Sequence, residues 1–151
     1  MPLIGRDRVE AAIENEVSKV NNQVKAIIIK GFTATVLATP THFKDGGRLQ
    51  GAWNMSVASP DYSMSNGTGA GHGIASIAKM PKLVLGKKVY LTNPMPYADV
   101  VEYGGYPNPP ENGTWTGEQY EKLSNGGYSK QAPSGMARIN VTLMQQKIKA
   151  L

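Results

Sequence analysis

Asp99 and Glu102 stand three residues apart in NPMPYADVVEYGG, the stretch from Asn93 to Gly105. On a helix that spacing puts both carboxylates on one face. Two neighbouring carboxylates can divide acid and base roles when their surroundings separate their pKa values. Acids near the start of a short helix also complement its dipole with no catalysis at all. The stretch is short and flanked by Tyr97 and Tyr103. Asp99 and Glu102 are therefore read as rim charges on a corner rather than as working acids.

Other chemistry is sparse. His42 lies three residues before Asp45, a two-ligand fragment where transition metals need three or four ligands. His72 ends the run NGTGAGH, whose glycines miss the G-x-G-x-x-G spacing, with no Walker lysine after them. That run also shows no strand before it and no helix directly behind it. No serine sits in a G-x-S-x-G elbow, and with no cysteine there is no thiolate, disulfide or thiolate zinc site. The reading is of a non-enzyme with no catalytic residues, no cofactor, no metal and no small-molecule substrate.

The chain has 151 residues, enough for one domain that buries roughly 68–70% of its unfolded surface. No segment approaches the ~18 apolar residues of a membrane span, and MPLIGRDRVE lacks an apolar signal core, so a cytosolic protein is expected. The Asn-x-Ser/Thr triplets at Asn54, Asn66, Asn112 and Asn140 are read as coincidence. The net charge is +5, concentrated in two places. Lys79, Lys82, Lys87 and Lys88 follow one another with no acid between, and after Glu121 there are only bases. Such a face can meet DNA phosphates or an acidic protein, or simply be solvated.

The elements that would position these residues form an α+β domain with a small antiparallel sheet. Asp7 and Glu10 match a capping box. Val9, Ile13, Val17, Val20, Val24 and Ile27/Ile28 then recur at helical steps. GFTATVLATP carries both strand-like and helical spacing, and Pro40 must end it. An unbroken helix from Arg8 to Leu37 would be about 45 Å long, against a diameter near 38 Å for a domain this size. The helix therefore bends near Gly31 or overhangs the body, and an overhanging apolar stripe needs a partner.

Further along, Arg48–Trp53 suggests a helical turn, WNMSVAS a strand, Pro60–Gly73 a long mobile loop, IASIAKM a helical turn and KKVYLTN a second strand. Pro94 and Pro96 stop that strand, a short helix spans Tyr97–Tyr103, and Gly104–Gly105 closes it. Residues 106–131 read as an irregular insertion holding a short helix in TGEQYEKL capped by Thr116. A C-terminal helix from Ser134 to Ile148 lines up Val141, Met144, Ile148 and Leu151, joined by Leu143. The aromatic residues Tyr97, Tyr103, Tyr106, Trp115 and Tyr120 fall either in a core or at an interface, where such side chains are enriched.

Three stretches now occur in order: P…DGGRLQGAW from Pro40 to Trp53, VYLTNPMPYADVVEYGG up to Gly105, and APSGMAR from Ala132 to Arg138. With the amphipathic helix before them, the set resembles the neck or tail-completion proteins of long-tailed bacteriophages, a lambdoid-type minor tail component. The resemblance covers about residues 7–150. It implies a structural virion protein that forms a ring, six copies expected, around the DNA exit channel at the head–tail junction or the top of the tail. Tail terminator, head–tail connector and tape measure proteins are the implied partners, with weak non-specific contact to duplex DNA in the channel. Assembly in the host bacterial cytoplasm and a final place in the virion neck or tail follow. No catalytic residues carry over. Two features depart from the pattern: Gly46 stands where Thr or Ser is usual, and the segments Tyr106–Gln131 and Pro60–Gly73 are long. An overlong helix, mobile loops and an aromatic segment all gain burial on assembly, and head-to-tail contacts that close by rotation make rings. The rival reading is a small basic nucleic-acid-binding module using Lys79, Lys82, Lys87 and Lys88.

Overall fold

A single helix dominates the molecule. In a computed structural model that describes residues 5–41, 46–104, 114–115, 118–121 and 132–151, α1 runs from Arg6 to Ala38 without a break. Its 33 residues make it about 50 Å long. No proline interrupts it until Pro40, and Thr39 just before that proline is extended (φ −69°, ψ 124°), as a residue preceding proline must be. Of the two options left by the length, the helix takes the overhang. Every residue from 5 to 20 is exposed, and Asn21 is the first buried one.

The start of α1 differs from the expected capping box. Gly5 occupies the N-cap position and no side chain caps the helix. Glu10 pairs instead with Arg6 one turn back, at 2.7 Å. With both partners largely exposed, that pair contributes little to stability.

The remaining elements wrap the C-terminal half of α1. A 3₁₀ turn (Gln50–Ala52) leads into β1 (Asn54–Val57), followed by α2 (Gly71–Ile77), β2 (Val89–Thr92) and α3 (Ala98–Tyr103). β1 and β2 pair antiparallel, with Asn54 opposite Thr92 and Val57 opposite Val89. A second antiparallel pair joins β3 (Thr114–Trp115) to β4 (Tyr120–Glu121). α4 (Arg138–Lys149) closes the chain and packs on α1. The α+β class with a long first helix, a small antiparallel sheet, a short helix after Asn93 and a C-terminal helix is as read from the sequence.

Three boundaries are corrected. The segment 60–73 is not all loop: Gly71–Gly73 form the first turn of α2, so a helix does follow the glycine run. Upstream the segment is tied down, because the Asn54 side chain donates to the Ser63 carbonyl at 2.8 Å and Gly69 N–H donates to the Gly47 carbonyl at 3.0 Å. Within TGEQYEKL, Tyr120–Glu121 form a strand rather than a helix, since pairing with Thr114–Trp115 overrides local helical preference; Thr116 lies outside the described residues. The last helix begins at Arg138, four residues later than expected.

The core is a cluster of Val36 from α1, Leu49, Trp53, Met55, Ile77, Met80, Val84, Ala98 and Val101 of α3, and Ala132 and Met136 ahead of α4. Val24, Ile28, Ile29 and Phe32 of α1 pack against it. Val9, Ile13, Val17 and Val20, on the same stripe, do not: their exposure runs from 60% at Val9 to 39% at Val20.

Candidate functional site

The three sequence stretches meet in space, and hydrogen bonds join each to the next. In the first, Gly46 takes a left-handed φ of 61°, a conformation that favours glycine. Gln50 Nε2 donates to the Val36 carbonyl at 3.1 Å, and Trp53 Nε1 donates to Thr39 Oγ1 at 2.8 Å. These bonds fasten the turn after Pro40 to the last turn of α1, where the Val36 carbonyl also accepts the Thr39 N–H at 3.3 Å. Asn93 Nδ2, from the second stretch, donates to the Leu49 carbonyl in the first at 2.8 Å. Its Oδ1 accepts the Met95 N–H at 3.1 Å and sets the corner at Pro94.

Glu102 joins the second stretch to the third. Its side chain is buried, with 7% of its surface exposed. Oε2 accepts the N–H groups of Met136 at 2.7 Å and Ala137 at 2.9 Å, and Oε1 accepts that of Arg138 at 2.8 Å. Arg138 Nε donates to Oε1 at 3.1 Å and Nη2 to the Glu102 carbonyl at 2.9 Å. The expectation of a rim charge is wrong for Glu102, although it holds for the exposed Asp99. Glu102 is a cap supplied from another helix. α4 has no capping side chain of its own, and a carboxylate at a helix N-terminus satisfies its open N–H groups and its dipole together. Gly135 permits the approach: its φ is 75°, and a Cβ there would collide with Glu102 Oε1. Burial by itself pushes the Glu102 carboxyl up. The N–H groups of Ala137, Arg138 and Met136 and the Arg138 side chain outweigh it and hold the group below its usual value.

Asn21 and Gly31 do comparable work on α1. Asn21 Nδ2 donates to the Lys82 carbonyl at 2.8 Å, and Oδ1 accepts the Val84 N–H at 2.8 Å and the Leu85 N–H at 3.3 Å. The turn after α2 is thereby held to mid-helix. Gly31 lies under Met144 of α4, where any Cβ would overlap the Met144 side chain.

The remaining candidates distribute over the surface. Tyr97 packs against the core. Tyr103 is exposed, with the Arg138 guanidinium 5.2 Å from its ring centroid. Trp115 and Tyr120 are register partners across β3–β4, and Tyr106 lies outside the described residues. Lys79, Lys82, Lys87 and Lys88 are all exposed. His72 Nε2 lies 2.8 Å from Asn54 Oδ1, a structural contact; His42 and Asp45 lie outside the described residues. Among the described residues no cluster of His, Asp or Glu could hold a metal, and no helix is long and apolar enough to cross a membrane.

The polar side chains of these stretches converge on backbone and on one another. Apolar helix surface is also presented outward. The bare half of α1 carries a shallow groove lined by Arg8, Val9, Ala12, Ile13, Glu16 and Val17, and α4 exposes Ile139, Val141, Leu143 and Ile148. No family model, no curated protein and no solved structure matches the chain.

The residues missed by sequence reasoning left faint signals. Asn21 is a poor helix former at mid-helix, where its presence calls for a partner. APSGMAR opens a helix with no Ser, Thr or Asp at the N-cap, so its cap had to come from elsewhere.

Proposed function

We propose that this chain is a structural subunit of a bacteriophage particle, forming a ring at the head–tail junction or the top of the tail. There it completes the tail, joins it to the head and surrounds the DNA exit channel. The observation that carries the reading is the overhang of α1, whose apolar stripe stands bare from Val9 to Val20. Apolar side chains in a row gain about 25 cal/mol for each Å² removed from water, so such a stripe marks a surface awaiting a neighbour. The ordered stretches that resemble neck and tail-completion proteins supply the setting, and their convergence on a hydrogen-bonded clasp suits a scaffold more than a catalyst.

Electron microscopy of the purified chain, alone and mixed with tail terminator and connector proteins, tests this. Closed rings with a central channel, six copies expected, support it. A monomer at high concentration that also fails to join tails sinks it.

The exposed Lys79, Lys82, Lys87 and Lys88 favour a second reading, a module that binds nucleic acid. Its affinity for duplex DNA would fall with salt at a slope of about −0.9 per phosphate contacted. A ring that lets DNA pass requires only weak binding, so tight, steeply salt-dependent binding would favour the module over the ring.

A further inference from the structure

We infer that the bare half of α1 docks on the exposed face of α4 in a second copy of the chain. The inference deepens the ring reading above and rests on it for closure. Three observations carry it.

The first is continuity. Within one chain, Met144 of α4 sits over Gly31 of α1. Ile13 lies eighteen residues before Gly31, which is five helical turns, so both point to the same side of α1. The side of α1 that already receives an α4 thus continues, uncovered, as the row Val9, Ile13, Val17 and Val20.

Charge is the second. Residues 1–20 hold four acids (Asp7, Glu10, Glu14, Glu16) and three bases (Arg6, Arg8, Lys19), net −1. The whole chain has 16 bases and 11 acids, so residues 21–151 hold 13 and 7, net +6. The overhang is the acidic arm of a basic body. Glu10, Glu14 and Glu16 border its stripe on both sides. α4 contains no acid, and its exposed Val141 and Ile148, two turns apart on one face, have Lys147 and Lys149 on either flank.

The third weighs against the simplest rival. Glu10 and Glu16 already lie 2.7 Å from Arg6 and 3.9 Å from Lys19 on their own helix, yet two α1 stripes packed on each other would still bring Glu10, Glu14 and Glu16 of one copy toward the same acids of the next. Like charges face to face at an interface are costly. Apolar row on apolar row with glutamate against lysine has no such penalty. Each copy then gives one arm and offers one seat, a head-to-tail contact that closes into a ring when the rotation allows.

The chain has no cysteine, so single-cysteine variants report contacts cleanly. Ile13→Cys and Ile148→Cys change exposed positions outside the core. The two variants, one carrying a mass tag, are mixed and treated with a short bis-maleimide, and the particles are imaged in parallel. The inference expects the mixed Ile13–Ile148 product to exceed either product of like with like. A predominant Ile13–Ile13 product, or assemblies lacking the mixed product, overturns it. Rings without the mixed product leave the ring reading standing and sink this one; the mixed product in open filaments does the reverse. Monomers that give no product sink both. As a second arm, E14K combined with E16K weakens self-association about tenfold or more, and K147E combined with K149E in the partner copy recovers it. Charge reversal without effect contradicts the inference.

Discussion

The two halves of α1 carry the same apolar stripe and meet opposite fates. From Asn21 to Ala38 the stripe is packed: Val24, Ile28, Ile29 and Phe32 touch the core, Val36 is fully buried, and Asn21 and Gly31 seat other elements on the helix. From Arg6 to Val20 every residue is exposed. Helical periodicity says that one side of a helix is meant for burial, but not whose surface does the burying. A stripe longer than its own domain can cover is a statement about a neighbour.

The sharpest way to break the packed side is Glu102. Glu102→Ala leaves the N–H groups of Met136, Ala137 and Arg138, at the start of α4, without an acceptor and the Arg138 guanidinium without its carboxylate. Each buried N–H left without an acceptor costs about 1–3 kcal/mol, so a loss of about 3 kcal/mol is expected, which urea denaturation would read as a large drop in midpoint. A loss under about 1 kcal/mol would mean that water caps α4 just as well.

Next comes Gly31→Leu, which forces the new side chain into Met144. Overpacking of this kind costs about 1–3 kcal/mol, and adding Met144→Ala should return part of it. Asn21→Ala strips the acceptor from Val84 N–H and the donor to the Lys82 carbonyl, an expected loss of about 1–3 kcal/mol. If both variants melt like the parent, the distinction between the two halves fails on its packed side.

The pH dependence follows from Glu102. Its folded-state value lies below the ordinary 4.5, so the unfolded chain binds that proton more readily. The stabilisation is full above about pH 4.5 and is lost as pH falls through the lower folded-state value. Glu102→Gln should flatten this part of the acid limb, measured by thermal melts between neutral pH and acid. An unchanged limb would shift the cause to other carboxylates.

The smallest effect on stability belongs to the bare half. Ile13→Asp should change the unfolding free energy of the dilute chain by no more than about 0.5 kcal/mol, the ordinary range for surface sites. Self-association, followed by sedimentation, should nevertheless fall sharply. A strongly destabilised dilute chain would mean that Ile13 is already covered within its own molecule.

Much of the architecture was legible from local signals. The stripe of α1, Pro40 as its stop, the strands at Asn54 and Val89, and the short helix after Pro96 all follow from periodicity and punctuation. What stayed hidden was decided at long range. Glu102 could be placed on a helix face, but its burial depends on α4 arriving from residues 34 to 36 positions away. Tyr120 and Glu121 become a strand because Thr114 and Trp115 lie alongside, which no local preference announces. Asn21 gives no hint of the turn at Lys82–Leu85 that it holds. Of the surface residues, the four lysines are exposed as their charge suggests, while Tyr97 turned to the core and Tyr103 did not.

Amide hydrogen exchange along α1, in the dilute chain and in its assemblies, tests the central claim most directly. An isolated half-helix frays readily and a packed one does not. The account predicts fast exchange across residues 8–18 and slow exchange across residues 24–36 in the dilute chain, with the first segment becoming protected on assembly. Equal protection of both halves in the dilute chain, or no gain in the first half on assembly, would contradict it.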